Sequence, residues 1–131
     1  MSQANVDVSR QSAEAFLRGD WDALAASFDP NIFLRLDSRW PEPTFSGRES
    51  ALEFLRSTQE LSGPRGGRIE EVKPIGDRVL VRWHWDTRGE HSRAEGVLRW
   101  SQIDTVRKGQ IIFIEYFLDH EAALKAVGLE E

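Results

Sequence analysis

The chain has 131 residues, with 17 Lys and Arg against 22 Asp and Glu and a formal net charge of -5. That length fits one domain, and an acidic chain with scattered cations argues against a nucleic-acid surface, which needs a basic patch. The absence of cysteine excludes a disulfide framework, thiolate chemistry and a cysteine zinc site. No run approaches the ~18 apolar residues of a membrane span, and the opening MSQANVDVSR lacks the apolar stretch of a signal peptide. Together these point to a cytoplasmic protein that binds neither nucleic acid nor membrane.

In chain order, residues 7–18 carry Val8, Ser12, Ala15 and Phe16 at helical spacing, and Gly19 ends that helix. Asp20 is the expected N-cap of a short second helix that turns Leu24 and Phe28 inward. Asp29-Pro30-Asn31 breaks the chain before a strand at 32–37, in which Ile32, Leu34 and Leu36 alternate with Phe33, Arg35 and Asp37. Residues 38–46, with Pro41 and Pro43, read as a loop. Gly47 opens a third helix with Ala51, Leu52, Phe54 and Leu55 as its apolar side. Residues 62–67 are loop by composition. Strands follow at 68–75, 79–87, 95–106 and 111–118, joined by Gly- and Asp-bearing turns. Asp119 caps a last helix through Ala122, Ala123 and Ala126, with Gly128 beyond it. Helices come early and strands late, so the class is α+β with a mostly antiparallel sheet in a single domain, residues 1–131.

The stretch VRWHWDTRG, residues 81–89, poses the functional question. Alternation puts Val81, Trp83 and Trp85 on one face and Leu80, Arg82, His84 and Asp86 on the other. The polar face is either wet or the wall of a pocket. A monomer rarely leaves a surface of two tryptophans exposed.

The chain resembles the SnoaL-like polyketide cyclase and ketosteroid isomerase group of the nuclear-transport-factor-2-like superfamily. The resemblance rests on FLRGDWDALAASFDPNIF, SGRESALEFL and IIFIEYFLDHEAAL and covers nearly the whole chain. It implies a curved sheet wrapped around the N-terminal helices, as in cone-shaped cystatin-like folds, with a pocket in the concavity. It also implies dimerisation through the outer sheet face, which the Trp83 and Trp85 side would suit.

Glu115 is the one charge in IIFIEYFL, with Ile111, Phe113 and Phe117 on its own face. A carboxylate there is costly unless paired or protonated. It is tuned for acid–base work, or half of an ion pair with Arg82 or Arg99, or exposed at a sheet margin. In the limonene epoxide hydrolase branch that the chain resembles, an arginine and an aspartate two apart on a strand face the pocket. A later aspartate followed by tyrosine completes that set. Arg82 and Glu115-Tyr116 match, while His84 stands where the first aspartate would be. Histidine still exchanges protons near neutral pH; otherwise His84 sits on a solvated strand face. Asp37 is either a strand-end cap or, by resemblance to ketosteroid isomerases, a proton shuttle. No tyrosine lies near Ser12, where that branch carries its oxyanion donor. Tyr116, on the face opposite Glu115, reads as packing.

The expected catalytic set is therefore Glu115, Arg82, His84 and Asp37, with Trp40 at the pocket lip and Phe113 and Phe16 as apolar ligand contacts. No metal and no cofactor is expected. The partners expected are a small apolar or aromatic ligand and a second copy of the chain. The reaction would be cofactor-independent isomerisation, cyclisation, dehydration or epoxide hydrolysis. The alternatives are a non-catalytic binding module and a protein-interaction module.

Overall fold

The structure is a computed structural model and describes residues 2–37, 44–62, 67–86, 97–118, 120–126 and 128. Two helices open the chain, α1 (Ser2–Arg18) and α2 (Trp21–Ser27), followed by strands β1 (Phe28–Arg35) and β2 (Thr44–Ser46). Helix α3 (Arg48–Ser62) precedes β3 (Gly67–Ile75), β4 (Arg78–Asp86), β5 (Val97–Arg107) and β6 (Gln110–Phe117), and α4 (His120–Ala126) follows them.

The six strands form one sheet in the order β2-β1-β6-β5-β4-β3. All neighbours are antiparallel except β1 and β6, which run parallel. This is the expected α+β class with a mostly antiparallel sheet. Several boundaries differ from expectation, among them the start of α1 at Ser2 rather than Asp7. Strand β1 begins at Phe28 and runs through Pro30, where its register against β6 shifts between Phe28 and Phe33; proline is tolerated in a strand at such an irregularity. Residues 44–46, read as loop, pair with β1.

Local chemistry fixes the helix ends. At the end of α1 Gly19 takes φ +71. Its N–H donates to the Phe16 carbonyl and the Asp20 N–H to the Ala15 carbonyl, the pairing of a Schellman cap that favours glycine. Asp20 then caps α2, its carboxylate accepting from the Ala23 N–H at 3.1 Å. Arg48, at the start of α3, donates twice to the Phe28 carbonyl. Gln59, further along, donates to the Phe16 carbonyl at 2.8 Å. These contacts hold α3 to β1 and to the end of α1.

The main core is a single layer between helices and sheet. Phe16, Leu24, Ile32, Leu34, Ala51, Val81, Trp83 and Ile114 belong to it. A smaller cluster lies on the other side of the sheet, where Ala123 and Leu124 of α4 cover Leu80 and Ile103. The sheet therefore has an inner face under α1–α3 and an outer face partly covered by α4. The tryptophan side of β4 was expected outside. Trp83 is instead buried in the inner core, and Leu80 faces out. The Trp85 side chain lies outside the described residues.

A second correction concerns β6. Its register against β5 shifts after Val106–Ile111, so that Thr105 meets Phe113. One extra residue reverses the alternation. Ile111 therefore packs in the main core with Ile114 and Tyr116, not beside Phe113 and Glu115.

Candidate functional site

A cavity lies between the inner sheet face and the helices. Its walls are Phe16 of α1, Leu24 of α2, Phe54, Leu55 and Thr58 of α3, and Trp83 and Trp100 of the sheet, among others. The polar groups among the described lining residues are Ser12, Thr58, Gln102, Tyr116 and the two indole N–H groups; none of the described lining residues is charged. The cavity has a volume of about 30 Å³. At roughly 10–15 Å³ per ordered water, that is room for two or three waters.

The strands explain why polar groups gather at the sheet end. Residues two apart on β5 share a face, so Trp100, Gln102 and Asp104 all point inward. Cross-strand pairing sets Trp83 beside Trp100, Val81 and Tyr116 on either side of Gln102, and Val79 and Ile114 on either side of Asp104. Trp83 Nε1 donates to Gln102 Oε1 at 2.9 Å, and Gln102 Nε2 donates to Asp104 Oδ1 at 2.7 Å. An indole N–H can only donate. It therefore fixes which end of the amide faces it and leaves the NH₂ for the carboxylate.

Asp104 is wholly buried. Burial pushes its carboxyl from 3.8 up to about 6, against smaller opposing effects of Gln102 and Ser9. Ser9 is near enough to favour the carboxylate, yet neither Ser9 Oγ nor Asp104 Oδ2 makes a hydrogen bond of ordinary geometry. No cation compensates the charge in these contacts, which is why desolvation dominates. Tyr116 is held as a neutral phenol: burial, and then the Asp104 charge, push its pKa well above the ordinary value. The arrangement can hydrogen-bond an oxygen in the cavity and hold a proton close to neutral pH on the buried carboxyl behind it.

The expected site residues that are described fall elsewhere, apart from Phe16, which lines the cavity. Glu115 is buried on the outer face and forms an ion pair with Arg35 of β1, its register partner. The partners considered from sequence were Arg82 and Arg99. Arg82 lies 4.0 Å from Glu71 and His84 Nδ1 lies 3.7 Å from Glu70, both with strand β3. Phe113 faces out against the Phe33 ring, with the Arg35 guanidinium over it. Asp37 accepts the Leu118 N–H at 3.1 Å, joining the end of β1 to the end of β6. Arg82, His84 and Glu115 thus share the outer face of the sheet without meeting at the cavity. The physical reason is the strict period of two: one choice of face for β4 carries every residue of the set with it. Trp40 lies outside the described residues.

Sequence reasoning missed Gln102, Asp104 and the cavity-facing role of Trp83. One signal was present. In SQIDTV, residues 101–106, both possible faces mix polar and apolar residues, so a polar group had to be buried whichever face turned inward.

The SnoaL-like domain family model matches residues 9–114. Solved structures share the fold. An NTF2-like protein from Burkholderia xenovorans LB400 superposes with TM-score 0.68 at 23% identity, covering 98% of each chain. A protein with a cystatin-like fold from Methylobium petroleophilum PM1 gives 0.73 at 17%, covering 89% of this chain and 76% of that one. A candidate polyketide cyclase from Sinorhizobium meliloti gives 0.66 at 20%, covering 84% and 93%. At these identities the likeness is one of fold. No match is found among curated proteins.

Proposed function

The chain belongs to the SnoaL-like domain family, and from that premise we propose that its inner cavity binds a small, largely apolar molecule and transfers a proton on it without a cofactor. The observation that carries this reading is Asp104, a carboxyl with no exposure, its pKa raised to about 6 behind a cavity of aromatic walls. Structural networks also raise carboxyl pKa values, but a group that only stabilised the fold would gain from a cation beside it. Gln102 and Tyr116 line the cavity and are the groups that would meet the molecule. Asp104 sits behind them and acts through them, setting the charge that they feel.

The reaction class is proton transfer next to a carbonyl, the step shared by isomerisation, cyclisation and dehydration. In that step a C–H bond breaks, its proton passes by way of a water molecule to the Asp104 carboxylate behind the cavity, and the electron pair moves so that the carbonyl oxygen gains negative charge. A neutral phenol and an amide N–H directed at that oxygen would stabilise it. The test is deuterium uptake by a single-ring enolisable ketone in D2O, followed by proton NMR. Uptake faster than in buffer, reduced at least tenfold in Tyr116→Phe and altered in its pH profile by Asp104→Asn, supports an enzyme. A ketone that binds and is recovered without deuterium makes the chain a binding module. The same reading gives the chain a second copy of itself as partner, paired on the outer face beside Phe33 and Phe113; a monomeric mass in solution would remove that part.

A further inference from the structure

The two edges of the sheet are built differently. Strand β3, at one end, carries Arg68, Glu70, Glu71, Lys73 and Pro74, the charges and proline that ordinarily protect an exposed edge. Strand β2, at the other end, is Thr44-Phe45-Ser46, with neither charge nor proline. Its register shows which backbone groups are left over. Phe33 lies opposite Ser46, so Ile32 lies opposite Gly47, and the Gly47 N–H donates to the Ile32 carbonyl at 2.8 Å. Hydrogen-bonded and non-hydrogen-bonded positions alternate along an antiparallel pair. Phe45 therefore turns its N–H and C=O toward Leu34, and Thr44 and Ser46 turn theirs away from β1. Among the described residues no strand pairs with that edge.

Along the same edge runs an open cleft of about 750 Å³ between β2 and α3. Phe45 and Phe54 line it and stack with ring centroids 4.8 Å apart, and both are only half-buried. Glu49 and Glu53 form its α3 wall. Both are exposed, and neither is paired with a cation among the described residues. A seventh strand would lie about 4.8 Å beyond β2, alongside this wall.

We propose that the cleft takes an extended, basic segment of a partner protein as a seventh strand, bonded to Thr44 and Ser46 through its backbone and to Glu49 and Glu53 through its cations. Each wall dictates one property of the occupant. The free edge calls for a backbone, as in strand addition. The half-buried rings call for apolar contact, and the two carboxylates call for positive charge. Glu49 and Glu53 stand about 6 Å apart along the helix axis, close to the ~6.6 Å between residues two apart on a strand. The segment therefore carries Lys or Arg at alternate positions. This surface is separate from the acid–base chemistry proposed above and stands if that reading fails.

A head-to-tail cyclised hairpin peptide with Thr-Lys-Val-Lys-Thr on one edge is the probe, because a preorganised strand avoids most of the ordering cost. The control carries Glu in place of both Lys. Binding to the full chain is followed at low salt by amide hydrogen exchange. The Lys hairpin should bind at least about ten-fold tighter than the Glu hairpin. It should slow exchange at Thr44 and Ser46 and leave Phe45, already bonded to β1, unchanged. Glu49→Gln with Glu53→Gln should weaken it about five-fold, the worth of two exposed ion pairs. If that double variant does not fold, the two hairpins on the wild-type chain decide. Equal binding of the two hairpins overturns the charge assignment. Binding without protection of Thr44 and Ser46 overturns the seventh strand, and no binding of either hairpin overturns the site. Protection that rises with protein concentration alone, without peptide, makes the occupant a second copy of the chain and overturns the basic partner.

Discussion

Two buried carboxylates on neighbouring strands have opposite surroundings. Glu115 of β6 faces outward and is met by the Arg35 guanidinium, itself about half exposed. Asp104 of β5 faces inward and is held by an amide and approached by a hydroxyl, with no cation in its contacts. A carboxylate paired with arginine has its charge balanced by a neighbour. A carboxylate held by neutral groups in a dry core has its two protonation states brought close in free energy at neutral pH. The conspicuous acid in the apolar run thus lies in an ion pair on the outer face, and the inconspicuous acid lies behind the inner cavity.

The inner face should be the more sensitive to truncation. Trp83 is 4% exposed, packs edge-to-face on Phe16 with centroids 6.0 Å apart and donates to Gln102. Trp83→Ala should cost about 3–5 kcal/mol, the usual range for a buried tryptophan, and would leave the Gln102 oxygen unmatched. Urea unfolding measures it. A loss below about 1 kcal/mol would mean that the cavity wall is not packed as described.

The next largest effect separates the two acids by pH. The Asp104 carboxyl is raised from 3.8 to about 6, so folding favours its protonated form. Its neutral-state stability is fully present below pH 3.8 and is lost as pH rises through 6. At about 1.4 kcal/mol per unit, the deficit at pH 8 is on the order of 3 kcal/mol. Asp104→Asn keeps an acceptor for Gln102 and removes the charge. It should therefore be more stable than wild type at pH 8 and nearly equal at pH 4. A variant destabilised equally at both pH values would show that Asp104 is not strained by its charge.

Much of the fold was legible because its signals are local. Gly19 after an apolar-periodic segment, Asp20 before another, and alternation through 81–85 each have one physical reading. The site was not legible because choosing between two faces of a strand is not a local matter. Alternation separated Trp83 from Arg82 and His84 correctly; only the packing of α1 and α3 says which side is inside. Plain burial of the bulkier face would have chosen well, whereas the polar pair, read by resemblance, drew the choice outward. The register shift between β5 and β6 left no mark in the sequence, so Ile111 was assigned to the wrong face of a correctly located strand. Asp104 was hidden by its neighbours: Ser101, Gln102 and Thr105 make an acid look ordinary, as IIFIEYFL makes Glu115 look exceptional.

On the outer face, removing the cation should hurt more than removing the acid. Arg35→Met leaves Glu115 buried without its counter-ion, and should cost about 2 kcal/mol. That is less than the 3–5 kcal/mol of a fully buried pair, because Arg35 is half exposed and water screens the pair. Glu115→Gln should cost less, about 1 kcal/mol, and leave ligand binding unchanged. A loss of ligand binding in Glu115→Gln would reverse the roles assigned to the two acids.

The smallest expected effect tests whether the outer face is as open as a single chain makes it. Arg82 and Glu71 lie 4.0 Å apart across β4 and β3, with 32% and 44% of their side chains exposed. Pairs this long and this wet couple by about 0.5 kcal/mol or less, and salt should reduce even that. A double-mutant cycle with Arg82→Gln and Glu71→Gln measures the coupling. A value near zero fits a strand face in water. A coupling well above about 1 kcal/mol that disappears on dilution would require something to exclude water from this face. The dependence on concentration would identify the excluding surface as a second copy of the chain.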